Sequence, residues 1–303
     1  MRKLLLIGGT GFVGSHMAQY CSGRFDVVTT GREVDVRDAG QLQAVIARAR
    51  PDDVVHLAAV TTLKESFENP RATYDINFGG TLNLLMALRN SGFAGRFLFV
   101  SSSEVYGHLG EFDLPVNETR LARPLSPYAV SKIASESLCY QWSQSEKFKI
   151  VVARPFNHIG PGQSERFAIA DFGRQITMIK LGLALPVIRV GDIETTRDFT
   201  DVRDIVSSYE RLLNLGQNGE TYNVCSGSER SIRSLIERMC QLAGVSVEIQ
   251  TDSERFRLSE QRRVRGDNGK IMKATGWSAA YSMDQTLTAI LDDWVARLGT
   301  HAS

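Results

Sequence analysis

Five runs of strand length, KLLLIG, DVVTTG, DDVVHLAA, RFLFVSSS and KIVVARPF, recur through the first half of the chain, separated by longer amphipathic stretches. Strands that are apolar almost throughout, rather than at every second residue, are buried on both faces, as in a parallel sheet covered by helices. The order therefore points to βαβ units and an α/β fold. One intervening stretch, YDINFGGTLNLLMALRNSG, has helical periodicity: Ile76, Leu82, Leu85, Met86 and Leu88 are expected to share a buried face, with Gly92 as the stop. Past Asn157 the character changes to segments rich in glycine, proline and charge (HIGPGQSERF, RVGDIETTRDFTDVRD, FRLSEQRRVRGDNGK), interleaved with a helix near Leu235 and another near the C-terminus. With 303 residues the chain has room for a major domain and a smaller lobe, and the arginine-bearing loops suit a substrate lobe.

The first strand runs straight into LLLIGGTGFVG, which sets Gly8, Gly11 and Gly14 between a strand and the mouth of a helix. A tight first turn, a glycine that lets backbone approach a pyrophosphate, and the free N–H groups of a helix N-terminus together make a dinucleotide cradle of Gly8, Thr10, Gly11, Phe12, Val13 and Gly14. The spacing differs by one residue from G-x-G-x-x-G, and a turn made only for strand–helix packing is the plainer alternative. The second strand ends in Thr30, Gly31 and Arg32 where an NAD-preferring chain would carry an acid. A guanidinium there can grip a 2'-phosphate with two donors, so NADP(H) is favoured, with NAD(H) open because Glu33 stands beside it. Asp35 and Val36, one loop further on, are candidates to cover the adenine; a capping acid before the next helix is the bland reading.

Charge excludes other classes. Lys plus Arg number 35 against 34 Asp plus Glu, so no global field draws the chain to nucleic acid or an acidic membrane. No stretch is long and apolar enough to span a bilayer, and the basic, apolar start breaks at Gly8 without a small-residue cleavage pattern, which argues against a signal peptide. Cys21, Cys139, Cys225 and Cys240 have neither paired metal spacing nor the density of a disulfide scaffold, and read as buried thiols of a cytoplasmic protein with no metal site.

SPYAVSKIASE places Tyr128 and Lys132 one helical turn apart. In a chain with eight tyrosines such a pair arises readily by chance, so its meaning depends on what accompanies it. The glycine loop, HLAA at 56–59, VSSSEVYG at 100–107 and the Tyr128/Lys132 pair occur in that order, and together they resemble the extended short-chain dehydrogenase/reductase family over essentially the whole chain. ARPFNHIGPGQ, RDFTDVRD, YNVCSG and EQRRVRG narrow the resemblance to the GDP-6-deoxy-D-mannose reductases, which reduce GDP-4-dehydro-6-deoxy-D-mannose to GDP-D-rhamnose. The GDP-mannose 4,6-dehydratases, which make that keto sugar, are a close neighbour.

The resemblance implies a Rossmann-type doubly wound parallel sheet with a smaller C-terminal α/β substrate lobe: residues 1–157 and 192–226 for the NAD(P) domain, 158–191 and 227–303 for the sugar-nucleotide lobe. It adds Leu57, Ala58, Ala59 and Pro155 to the cofactor residues, and gives Lys132 the nicotinamide ribose as well as a role beside Tyr128. Reducing a ketone requires hydride at carbon and a proton at oxygen. Tyr128 is the expected proton donor, Lys132 is expected to draw its pKa down, and Ser102 to hydrogen-bond the ketone oxygen. Ser103, Glu104, Asn157, Arg197, Arg257 and Glu260 are the expected substrate contacts, with Arg197 and Arg257 as diphosphate clamps.

Glu104 keeps a second reading open, since an acid there is the C5 base of the dehydratases; substrate hydroxyl binding or a structural hydrogen bond is the plainer one. A 4-epimerase, a GDP-6-deoxy-D-talose-forming reductase and a non-catalytic dinucleotide sensor are the remaining alternatives. The family commonly pairs two subunits through the helices at 73–90 and 126–144, so a homodimer is expected.

Overall fold

The structure is a computed structural model and describes residues 1–252 and 261–299. Its strands in chain order are β1 (Lys3–Ile7), β2 (Asp26–Thr30), β3 (Asp53–His56), β4 (Arg96–Val100), β5 (Lys149–Pro155), β6 (Asn157–Ile159), β7 (Val187–Val190), β8 (Thr196–Asp201), β9 (Thr221–Val224), β10 (Glu229–Ser231) and β11 (Glu248–Thr251). The helices are α1 (Phe12–Cys21), α2 (Ala39–Ala49), α3 (Leu63–Glu68), α4 (Pro70–Tyr74), α5 (Gly80–Asn90), α6 (Pro127–Ser145), α7 (Ala168–Lys180), α8 (Val202–Leu215), α9 (Ile232–Ala243), α10 (Gly269–Thr275) and α11 (Met283–Gly299).

The five apolar runs of the first half become β1 to β5, and with β9 they form a six-stranded, all-parallel sheet in the order β2-β1-β3-β4-β5-β9. Side chains leave a strand alternately up and down, so β1 splits its residues between two cores. Leu5 and Ile7 join residues of α2, α5 and α6 on one face. Leu4 and Leu6 join Met17 and Cys21 of α1 and Ile205, Val206 and Tyr209 of α8 on the other. Burying such a side chain is worth about 1.5–3 kcal/mol, so a strand buried on both faces contributes at every residue. The continuous apolar runs of the sequence and the double winding of the fold are thus one fact.

A third core, built by Ile176 of α7, Ile188 of β7, Phe199 of β8, Ile236 of α9 and Ile290 of α11, holds the C-terminal elements together. They include a three-stranded sheet, β10-β8-β6, and the parallel pair β11-β7. All four cysteines are buried and unpaired.

One helix departs from its expected register. Between α4 and α5 the chain makes a π turn over Asp75–Gly79. The wider turn spends one extra residue per repeat, which rotates the succeeding turns of α5 by roughly 100° relative to an unbroken helix. Leu85 and Leu88 are buried as expected, but Leu84 takes a core place and Met86 faces out, 39% exposed. Gly92 does follow the helix end, with φ +70°.

Candidate active site

The sheet order reverses at β1: the chain passes to β2 on one side and then back across to β3 on the other. Ligands of open parallel sheets sit at the carboxyl ends of the strands at such a switch point. The glycine loop lies there. Gly8 has φ +86°, and a Cβ on it would stand 2.6 Å from the amide nitrogen of Ala58, so only glycine fits. Gly14 is as restricted, since its Cβ would lie 2.6 Å from the Gly8 carbonyl oxygen. Leu57 and Ala58 follow β3 and donate to the Ile7 carbonyl at 2.8 and 2.9 Å, which draws Leu57, Ala58 and Ala59 beside the loop. No side chain caps α1, whose N-cap is Gly11, so its first N–H groups remain available to an anion. These residues fit a dinucleotide pyrophosphate.

At the end of β2, Arg32 is exposed and its guanidinium makes no hydrogen bond or ion pair among the described residues. Glu33 folds back to accept from the Gly31 N–H at 2.6 Å, and that bond holds its carboxyl below the usual range. The competing acid is therefore occupied by backbone while the guanidinium is available. Asp35 is held in its own loop by Arg37, whose Nη2 donates to it at 2.6 Å. The Val36 side chain is buried in the core against α5, and its carbonyl accepts from Asn83 at 3.1 Å.

Ser126 caps α6, its hydroxyl accepting from the Ala129 N–H at 3.1 Å with Pro127 at the first helical position, a cap worth about 1 kcal/mol. Tyr128 and Lys132 then face the same way into the protein, 9% and 5% exposed. Lys132 Nζ donates to the carbonyl of Val100, the last residue of β4, at 2.7 Å, and lies 5.0 Å from the Phe99 ring centroid. Two residues beyond Val100, Ser102 caps a 3-10 turn over Ser103–Tyr106 by accepting from the Glu104 N–H at 3.2 Å. The Ser102 hydroxyl also lies near enough to Tyr128 to favour its ionised form. Strand end, turn and helix thus converge on one phenol.

Electrostatics there differ from the expectation drawn from spacing. Burial pushes the Tyr128 pKa up to about 12; the Ser102 hydroxyl opposes that and the exposed Glu104 carboxylate adds to it. The Lys132 ammonium bonds Val100 and stands 5.9 Å from the Tyr128 ring centroid. Burial also draws Lys132 down to about 8, against the pull of Glu136. At neutral pH the phenol carries its proton and the ammonium most of its charge.

A buried asparagine that the sequence reading passed over joins these parts. Asn77, 2% exposed and inside the π turn, accepts from the Val60 N–H at 2.8 Å and donates to Ser131 Oγ at 2.9 Å. It ties the segment after β3 to α6 between Tyr128 and Lys132. The signal was a polar residue on an otherwise apolar helix face. Arg154 is a second such signal, a charge inside the apolar run of β5; it is 7% exposed and pairs with Glu136 at 2.6 Å.

The expected substrate residues are more dispersed. Ser103 and Glu104 belong to the turn below Tyr128, and Pro155 ends β5. Asn157 is exposed on β6 and Arg197 half-buried on the neighbouring β8, its Nη1 donating to the Thr196 carbonyl at 2.8 Å. Arg262 pairs with Asp192, and Arg263 with Glu111 and Glu229. Arg257 and Glu260 lie outside the described residues. Phe12 of the glycine loop stacks on His158, the residue after Asn157, with ring centroids 6.1 Å apart and planes 5° from parallel.

A family model described as GDP-mannose 4,6 dehydratase matches residues 29–290. The chain belongs to the GDP-mannose 4,6-dehydratase family. Within and around that family it is 45% identical to the GDP-6-deoxy-D-mannose reductase of Pseudomonas aeruginosa, over 98% of each chain. It is 28% identical to the GDP-6-deoxy-D-talose 4-dehydrogenase of Aggregatibacter actinomycetemcomitans, over 90% of this chain and 91% of that one. Among solved structures, "RMD from Pseudomonas aeruginosa complexed with NADPH" superposes with a TM-score of 0.94 at 45% identity, covering 98% of this chain and 100% of that one. The UDP-glucose 4-epimerase of Thermus thermophilus in complex with NAD superposes with a TM-score of 0.85 at 29% identity, covering 96% of this chain and 98% of that one. Family membership bears out the resemblance drawn from the motifs and the doubly wound fold it implied.

Proposed function

We propose that this chain is an NADPH-dependent reductase that converts GDP-4-dehydro-6-deoxy-D-mannose to GDP-D-rhamnose. The observation that carries the reading is the 45% identity to GDP-6-deoxy-D-mannose reductase over 98% of both chains. The site supports it. Gly8, Gly11, Gly14 and the N-terminus of α1 hold the pyrophosphate, and Arg32 takes the 2'-phosphate that distinguishes NADPH. NAD(H) is the weaker cofactor, and the nicotinamide supplies hydride when bound.

The remaining steps fall to the chain's own side chains. Ser102 donates a hydrogen bond to the C4 ketone oxygen and orients it toward Tyr128. Tyr128, kept protonated by burial, gives its proton to that oxygen as the carbon becomes tetrahedral. Lys132 holds positive charge beneath the phenol as negative charge develops on it, and takes the ribose hydroxyls. Asn157, Arg197, Arg257 and Glu260 bind the sugar diphosphate and nucleoside. In this reading residues 1–157 and 192–226 form the cofactor domain, which lends Asn157 and Arg197 to the sugar nucleotide, and 158–191 and 227–303 form the GDP-sugar lobe.

Glu104 favours one second reading. Its carboxylate is exposed yet close enough to Tyr128 to raise that pKa, a place from which it can remove the C5 proton of a GDP-4-keto sugar. That gives a residual GDP-mannose 4,6-dehydratase activity.

The chain works as a cytoplasmic homodimer. Met86 on α5 and Val130 and Tyr140 on α6 are 39%, 37% and 59% exposed, an apolar face suited to a second copy. No helix among the described residues is long and apolar enough to cross a membrane.

The test is to incubate the protein with GDP-4-dehydro-6-deoxy-D-mannose and NADPH, following loss of reduced nicotinamide absorbance and the C4 configuration of the product by NMR. Stoichiometric oxidation with the rhamno product is expected. No oxidation overturns the reductase reading, a talo product reassigns the face of attack, and keto sugar formed from GDP-mannose and NADP+ establishes the second activity.

A further inference from the structure

Behind Lys132 lies an ion pair that the mechanism above leaves idle. Glu136 is one turn further along α6, on the same buried side, and is 6% exposed. Arg154 of β5 grips it with two donors, Nε at 2.9 Å to one oxygen and Nη2 at 2.6 Å to the other. An ion pair removed from water must recover the solvation it loses, so burial of this pair is weak evidence that it adds stability.

Its remaining contacts are specific. The Ser101 hydroxyl donates to Glu136 Oε1, and Ser101 is the residue immediately before Ser102. Arg154 Nη1 donates to the Tyr106 hydroxyl at 3.0 Å, and Tyr106 is the last residue of the turn that Ser102 caps. The Tyr106 hydroxyl in turn donates to Asn223 Oδ1 of β9 at 2.7 Å. One ion pair therefore holds both ends of the short segment carrying Ser102, Ser103 and Glu104, and holds it to the helix carrying Tyr128 and Lys132.

We propose that Glu136 and Arg154 are positioning residues for the reaction: the pair clamps the Ser102 turn against α6 so that the Ser102 hydroxyl and the Tyr128 phenol meet one ketone oxygen. The proposal rests on the reductase reading for its substrate. It has an electrostatic side as well. Lys132 is packed against Val100 and Phe99 of β4, and His56 of β3 lies within its field and is held neutral. Tyr128 and Cys139 on α6 are protonated. Arg154 on β5 has its charge matched by Glu136. Glu136 is thus the anion that favours the charged form of Lys132 against burial.

The experiment compares wild type with Glu136→Gln, Glu136→Asp and Tyr106→Phe. Glu136→Gln keeps one oxygen to accept from Ser101 and Arg154 Nε but removes the charge and the acceptor of Arg154 Nη2. Its kcat is expected to fall on the order of tenfold to a hundredfold with KM little changed. Its alkaline limb of kcat moves to lower pH by about one unit. In the ligand-free protein the Lys132 Nζ–Cε signal, assigned by its loss in Lys132→Met, shows the same shift in NMR titration. Glu136→Asp restores the pH limb but only part of kcat. Tyr106→Phe, which leaves both charges in place, lowers kcat about fivefold or more without moving the limb.

A Glu136→Gln protein with wild-type kcat and pH limb, and only a lower melting temperature, overturns the proposal. If Glu136→Gln does not fold, unchanged kcat in Tyr106→Phe overturns it. Failure of the reductase reading is separate, because it appears as absence of NADPH oxidation by wild type, and the Lys132 titration is read without substrate.

Discussion

At the scale of single residues, the site depends on how far burial displaces proton equilibria. A phenol with its pKa near 12 holds its proton at neutral pH but is a weak acid, and it gives the proton up only where its anion is stabilised as it forms. Tyr128→Phe should therefore lower kcat by about 10²–10⁴-fold. Its NADPH dissociation constant, read by fluorescence titration, should stay within about twofold, because the pyrophosphate cradle is untouched. His56 offers a different titration. It is fully buried against Phe97 and Phe99, its Nε2 lies 3.2 Å from Thr81 Oγ1, and burial holds its pKa at about 3. Below the ordinary value of 6.5 the unfolded chain takes a proton that the folded chain refuses, so stability is present above that pH and lost as pH falls toward 3. Urea unfolding should show about 1.4 kcal/mol lost per pH unit below 6.5 from this group, and His56→Leu should flatten that slope.

At the scale of elements, the decisive contacts are between backbones. Gly14→Ala places a methyl against the Gly8 carbonyl and should open the cradle, weakening NADPH binding by at least about tenfold by calorimetry while far-UV circular dichroism stays native. This loop was legible in the sequence because its glycines answer to local geometry: a strand, a turn and a helix mouth within a dozen residues. β1 to β5 were legible for a similar reason, since burial on both faces writes itself as continuous apolar runs. The π turn at Asp75–Gly79 was not, because nothing in DINFG alone demands a wider turn. It is sustained by Asn77 bonding to Val60 and Ser131, partners from distant stretches of chain. The Glu136–Arg154 pair was half legible. Arg154 in an apolar strand announces that some acid is buried with it, but which acid depends on packing between α6 and β5. Likewise the Tyr128–Lys132 spacing announced a shared face, while the preference of Lys132 for Val100 emerged only once β4 was in place.

At the scale of the whole molecule, the apolar face of α5 and α6 is where a second copy is expected. Tyr140→Glu should shift the scattering mass from dimer to monomer and lower the melting temperature, with NADPH affinity little changed because the glycine loop is on other elements. A wild-type protein that is monomeric throughout the concentration range would rule this assembly out. Within one copy, the regions proposed for the two ligands are in direct contact. Phe12 belongs to the cradle proposed for the cofactor, His158 adjoins Asn157, and the two rings lie flat on each other. His16 of α1 reaches the same segment, with Nε2 2.8 Å from the Pro161 carbonyl. On the function proposed above, this one aromatic pair joins the segment that serves the reductant to the segment that serves the sugar nucleotide. Whatever factor the first ligand adds to the affinity of the second, the second must return to the first.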